Sequence, residues 1–141
     1  MVDHVIVCSS DDFETLYPEI YARAGLTRVK LQMLRTEPQP AGWHLGPALA
    51  AGLTLRFYPS FGICRTLPAL KRRQETPEYD KWGIHGLVSQ TTCGELTLGD
   101  SHEYRLSVDV FNREEIDELM LKYATRAVRC HRPRSSEYAM L

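Results

Sequence analysis

The residues best suited to chemistry stand in two places. Gly94 to Tyr104 read Gly-Glu-Leu-Thr-Leu-Gly-Asp-Ser-His-Glu-Tyr, which sets Asp100, Ser101, His102 and Glu103 in a row directly after Gly99. His102 beside Asp100 and Glu103 has the composition of a general base with acidic neighbours. A functional rim is one reading of this density of polar groups, and a solvated loop is the other. The second place is Leu53 to Tyr58, where Leu53, Leu55 and Phe57 alternate with Thr54, Arg56 and Tyr58. Read as a strand, this points Arg56 and Tyr58 to the same side, and a guanidinium with a phenol hydroxyl can hold a carboxylate or phosphonate. A merely solvated strand face would look the same.

Other chemistries find less support. The chain has no Gly-Xaa-Gly-Xaa-Xaa-Gly fingerprint, no phosphate-cradling loop ending in Gly-Lys-Ser or Gly-Lys-Thr, and no nucleophile elbow. Cys93, His85 and His102 could ligate a metal only if the fold brought them together, because their spacing is loose, so no metal site is expected. No catalytic residue is assigned.

The elements that must position these residues follow from periodicity. His4 to Cys8 is a short apolar run rich in β-branched residues, the pattern of a strand buried on both faces. Asp11 with Glu14 resembles a helix-capping pair. Phe13, Leu16, Tyr17, Ile20 and Tyr21 then recur at helical spacing up to Gly25, although Pro18 must sit early or divide that helix. Leu26 to Thr36 predicts a long strand with Val29, Leu31 and Met33 on one face and Lys30 and Gln32 on the other. Trp43 to Gly52 has no clean period. Leu67 to Gln74 and Glu78 to Trp82 read as short helices, with Pro77 at a first helical position.

Ile84 to Gln90 is a strand that turns through Thr91 to Gly94 into Leu96 and Leu98, an antiparallel hairpin. Asn112 and Glu115 have capping-box spacing, and Ile116, Leu119, Met120 and Tyr123 form an apolar stripe on a helix running to about Ala127. The order predicts an α+β domain, an antiparallel sheet with helices on one face.

Composition sets the bounds. The 141 residues are 43% hydrophobic and 25% charged, an ordinary globular composition for one domain. The net charge of -1 gives no general attraction to nucleic acid or to an acidic membrane surface. Arg126, Arg129, Arg132 and Arg134 around His131 form a basic run, read as a solvated tail over residues 128–141. With neither a secretory leader nor a membrane-spanning run, the expected compartment is the cytoplasm. Cys8, Cys64, Cys93 and Cys130 lack CxxC spacing and are expected to be reduced thiols.

Several of these stretches together resemble one family. Val5-Ile6-Val7-Cys8-Ser9 leading to Asp12-Phe13, then Lys30-Leu31-Gln32-Met33, Leu55-Arg56-Phe57-Tyr58 and Gly94 to Tyr104, are similar in order and spacing to landmarks of the FAD-dependent D-amino acid oxidase and glycine oxidase family. The last run is most similar to a branch associated with phosphonate metabolism. The resemblance spans roughly residues 2 to 126 and corresponds to the substrate domain of a two-domain flavoprotein.

It implies FAD chemistry, the removal of a hydride from a carbon bearing an amine, on a small amine, amino acid or aminophosphonate. It also implies that residues 1–10 are a strand of the FAD-binding domain and that residues 11–127 are the substrate-binding unit. Arg56, Tyr58, Ser101 and His102 become the expected pocket-lining residues. Because the dinucleotide fingerprint is missing, the chain alone is not expected to bind FAD or to act. A partner chain or a second copy is expected on an exposed sheet face. The alternative is a stand-alone, non-catalytic binding module or a gene remnant.

Overall fold

The computed structural model describes residues 3–73, 76–128 and 139–140. It is an α+β fold whose main sheet is wholly antiparallel, with the strand order β3-β4-β5-β2-β7. These strands are β2 (Met33–Pro38), β3 (Leu49–Ala50), β4 (Leu87–Gln90), β5 (Glu95–Gly99) and β7 (Ala139–Met140). β1 (Arg28–Lys30) and β6 (Glu103–Arg105) pair separately as a two-stranded ribbon.

The β4–β5 hairpin forms as its alternation predicts. Leu87 pairs with Gly99, Val88 with Leu98 and Gln90 with Leu96, around a turn closed by Gly94 at φ 89°. Leu96 and Leu98 are buried, as period two requires of one face. Helix α5 (Glu114–Ala127) covers that face with Ile116, Met120 and Ala124, four residues apart on one side. With Leu34, Val88 and Ile84 these side chains make the core. Arg113 occupies the N-cap without a side-chain cap bond.

Further expectations are corrected. Residues 3–17 form no strand, and Val5 and Ile6 are exposed, because among the described residues no neighbouring strand lies beside them to bury a doubly apolar run. The first helix, α1 (Pro18–Ala24), starts at Pro18 itself, which fits the first helical position, and ends on Gly25 in the left-handed region. The carboxylate of Asp12, not Asp11, accepts from the amides of Glu14 and Thr15, and this makes a turn ahead of the helix.

The long strand over Leu26 to Thr36 is divided into β1 and β2, and its buried side is the polar one. Val29, Leu31 and Met33 are exposed while Gln32 and Leu34 are buried. Gln32 can be inside because its amide is fully engaged, accepting from the Arg113 amide and donating to the Arg113 carbonyl and to Asp117.

Leu53 to Tyr58 is likewise not a strand. α2 (Gly52–Leu55) is a single helical turn, followed after Tyr58 by a 3-10 helix over Pro59–Ile63. Leu53 and Thr54 are both buried, which no strand alternation allows. The short helices α3 (Leu67–Arg73) and α4 (Pro77–Lys81) stand where expected. Within the basic run, Arg126 lies on α5, whereas Arg129, Cys130, His131, Arg132 and Arg134 lie outside the described residues. Within the expected tail, Ala139–Met140 pairs with β2 as β7. Among the described residues no helix is long and apolar enough to cross a membrane.

Candidate functional site

Three segments meet at the open end of the β4–β5 hairpin. The link from α4 to β4 supplies His85, the stretch after β5 supplies Asp100, Ser101 and His102, and the stretch after α2 supplies Phe57 and Tyr58. Backbone bonds fix the first two together. The His85 amide donates to the Asp100 carbonyl at 2.8 Å, and the His102 amide donates to the Trp82 carbonyl at 2.9 Å. Gly83 makes this approach possible. It has φ +55°, and a Cβ there would stand 3.1 Å from both the Cβ and the carbonyl oxygen of His102.

The rings form a continuous stack. Phe57 lies on His85 with centroids 4.4 Å apart and planes 15° apart, and His85 lies on His102 at 4.2 Å and 29°. Tyr58 meets the other edge of His85 at 5.8 Å, and Tyr104 follows His102 at 6.0 Å. Burial is the main reason that the His85 imidazole is held below its ordinary protonation range. Its neighbour His102 adds to the effect, while Asp100 opposes it. His85 is therefore kept neutral between two aromatic faces.

The polar atoms at this site are of two kinds. Asp100 Oδ1 and His85 Nδ1 are buried and have no hydrogen-bond partner among the described residues. Asp100 Oδ1 and His102 Nδ1 stand 3.9 Å apart, and His102 Nδ1 lies 3.3 Å from the Gly83 carbonyl. Ser101, by contrast, is satisfied internally. It is fully buried, its Oγ accepts from the Gln32 amide and its own amide donates to the Gln32 carbonyl, both at 3.1 Å. Through Gln32 this ties the site to Asp117 at the start of α5, whose carboxyl is pushed up by burial and partly restored by the Gln32 amide.

Of the residues expected to line a pocket, Tyr58 and His102 are brought together on His85, Tyr58 edge-on and His102 face to face. Arg56 and Ser101 are not presented to solvent. The Arg56 side chain is 4% exposed and its Nη2 lies 2.8 Å from Asp80 on α4, so the guanidinium serves an internal ion pair. Leaving a strand for a helical turn is what sends Arg56 inward while Tyr58 stays half out. The loosely spaced Cys93 is separated from both histidines. It sits in the β4–β5 turn, at the other end of the hairpin from His85 and Asp100.

The partnership of His85 with Asp100 was open to deduction from sequence. A hairpin turning at Thr91 to Gly94 with Val88 opposite Leu98 carries His85 to the level of residues 100–102.

Among the described residues no glycine-rich turn opens a helix of more than two turns. A dinucleotide's pyrophosphate needs a glycine-rich turn at a helix N-terminus. The one helix here of more than two turns, α5, opens on Glu114, Glu115 and Asp117, which repel an anion. Comparison with known proteins gives no matching family model, no matching curated protein and no matching solved structure.

Proposed function

We propose that the chain is the substrate-domain portion of an FAD-dependent oxidoreductase acting on a small amine or amino acid, an aminophosphonate included, with FAD held by polypeptide outside these residues. The observation that carries this reading is the convergence of Tyr58, His85, Asp100 and His102 from three segments at one end of an antiparallel sheet. A carboxylate beside imidazoles, walled by aromatic rings, suits a small cationic or amine-bearing molecule. Tyr58 and Tyr104, both exposed, form the outer wall. The exposed apolar side chains of Val29, Leu31 and Met33 supply a surface on which a flavin-holding partner would pack.

A second reading is a binding module without catalysis. The internal roles of Arg56 and Ser101 favour it, since two of the four expected substrate contacts are already used by the fold.

The discriminating experiment joins the chain in frame with the coding sequence on either side of it and expresses the product. The oxidoreductase reading expects bound FAD and, without oxygen, loss of the oxidised-flavin absorbance on addition of a small amine, amino acid or aminophosphonate. A product without flavin, or a flavin that no such compound reduces, overturns it in favour of the binding module.

A further inference from the structure

The buried polar atoms of the ring stack have a use that does not depend on any flavin. We propose that His85, Asp100 and His102 form a binding site for a divalent transition-metal ion, with Zn²⁺ as its simplest occupant.

The first argument is distance. One ligand-capable atom from each residue lies within 4.8 Å of the others. Donors about 2.1 Å from a tetrahedral zinc ion stand about 3.4 Å apart, so the widest pair needs to close by up to about 1.4 Å, the scale of a side-chain rotation. The second is satisfaction. His85 and Asp100 are 6% and 8% exposed, yet His85 Nδ1 and Asp100 Oδ1 have no hydrogen-bond partner among the described residues. Buried polar atoms left unpaired are costly, and a cation satisfies the Asp100 oxygen and, in the tautomer with Nδ1 unprotonated, the His85 nitrogen as well.

The third argument is outer support. The tautomer of His102 that donates from Nδ1 to the Gly83 carbonyl leaves its other nitrogen with a free lone pair, the usual outer support of a metal-bound histidine. The donor set also selects the ion. Two imidazoles and one carboxylate suit zinc, iron, nickel or copper and do not suit Mg²⁺, which prefers oxygen ligands.

The two imidazoles lie face to face, so closing on an ion requires one of them to turn. His102, with its side chain 19% exposed, has the room. Three protein donors leave a further position for water or an incoming ligand.

The test is a titration of the metal-free, untagged chain with Zn²⁺ against a competing chelator, and with Co²⁺ by absorption. Asp100→Asn and His102→Gln are compared after melts without metal show that each is folded. If Asp100→Asn fails to fold, His102→Gln at the open side of the stack carries the comparison. The site predicts one ion per chain, cobalt d–d bands without a thiolate charge-transfer band, and affinity at least about tenfold weaker in the variants. No binding would overturn the proposal. So would a thiolate band, which would place the ion on cysteine, or binding untouched by both substitutions.

Discussion

The two halves of the molecule have similar apolar content and treat it in opposite ways. In the β4–β5 hairpin and α5, the apolar positions Val88, Leu96, Leu98, Ile116 and Met120 are almost wholly buried against one another. In residues 3–17 and the β1–β6 ribbon, Val5, Ile6, Val29, Tyr104 and Leu106 point outward. The second region is not loose for want of polar ties. Arg28 bonds to the Asp11 carbonyl, pairs with Glu14 and lies over the Phe13 ring, and Lys30 bonds to the Phe111 carbonyl. What it lacks is a covering layer. Periodicity tells which side chains share a face, and only a neighbouring element decides whether that face is inside.

Substitutions should separate the halves most sharply in their cores. Leu96→Ala removes a side chain with no exposed surface and should cost about 2–5 kcal/mol in urea unfolding. Ile6→Ser, 87% exposed, should stay within about 0.5 kcal/mol. Equal losses at the two sites would erase the contrast.

The polar link between the site and α5 comes next. Gln32→Ala strips the Arg113 amide and the Asp117 carboxylate of their buried partner and should cost about 1–3 kcal/mol, measured the same way. A neutral result would mean that Gln32 merely fills space.

Two glycines give a matched pair. A Cβ on Gly86 would fall 2.1 Å from the Tyr123 ring, so Gly86→Ala should destabilise by about 1–3 kcal/mol. Gly62, with open space around it, should tolerate alanine within about 0.5 kcal/mol.

The smallest expected effect is on pH dependence. His85 takes up a proton less readily in the fold than at its ordinary value of 6.5, so the unfolded chain binds more protons below that value. The stability it contributes is complete above pH 6.5 and is lost as pH falls through the lowered folded value. Urea midpoints across that window should fall with acidification, and His85→Gln should flatten the slope; an unchanged slope would remove His85 as its source.

How much of this was legible in the sequence follows the same division. The hairpin and α5 could be read because local pattern and tertiary burial agree there, alternation at Leu96 and Leu98 and a helical stripe at Ile116 and Met120. Leu53 to Tyr58 could not. Six residues between Gly52 and Pro59 alternate by accident, and a single helical turn satisfies the same pattern. Gln32 was hidden because a polar side chain is read as outward unless its partners are known, and those partners lie more than eighty residues away. In the site, Tyr58 and His102 stood out by residue type. By composition Asp100 stands only as a neighbour of His102, and the meeting of His85 with both follows from hairpin register rather than composition.

The contrast between a covered half that carries the site and an uncovered half is tested most directly by hydrogen exchange of the monomeric chain, read by mass spectrometry. Slow, shared protection is predicted for residues 87–99 and 114–127, with fast exchange over residues 3–17 and 28–30. Equal protection of both regions in the monomer would contradict it, because the outer apolar face would then already be covered by this chain itself.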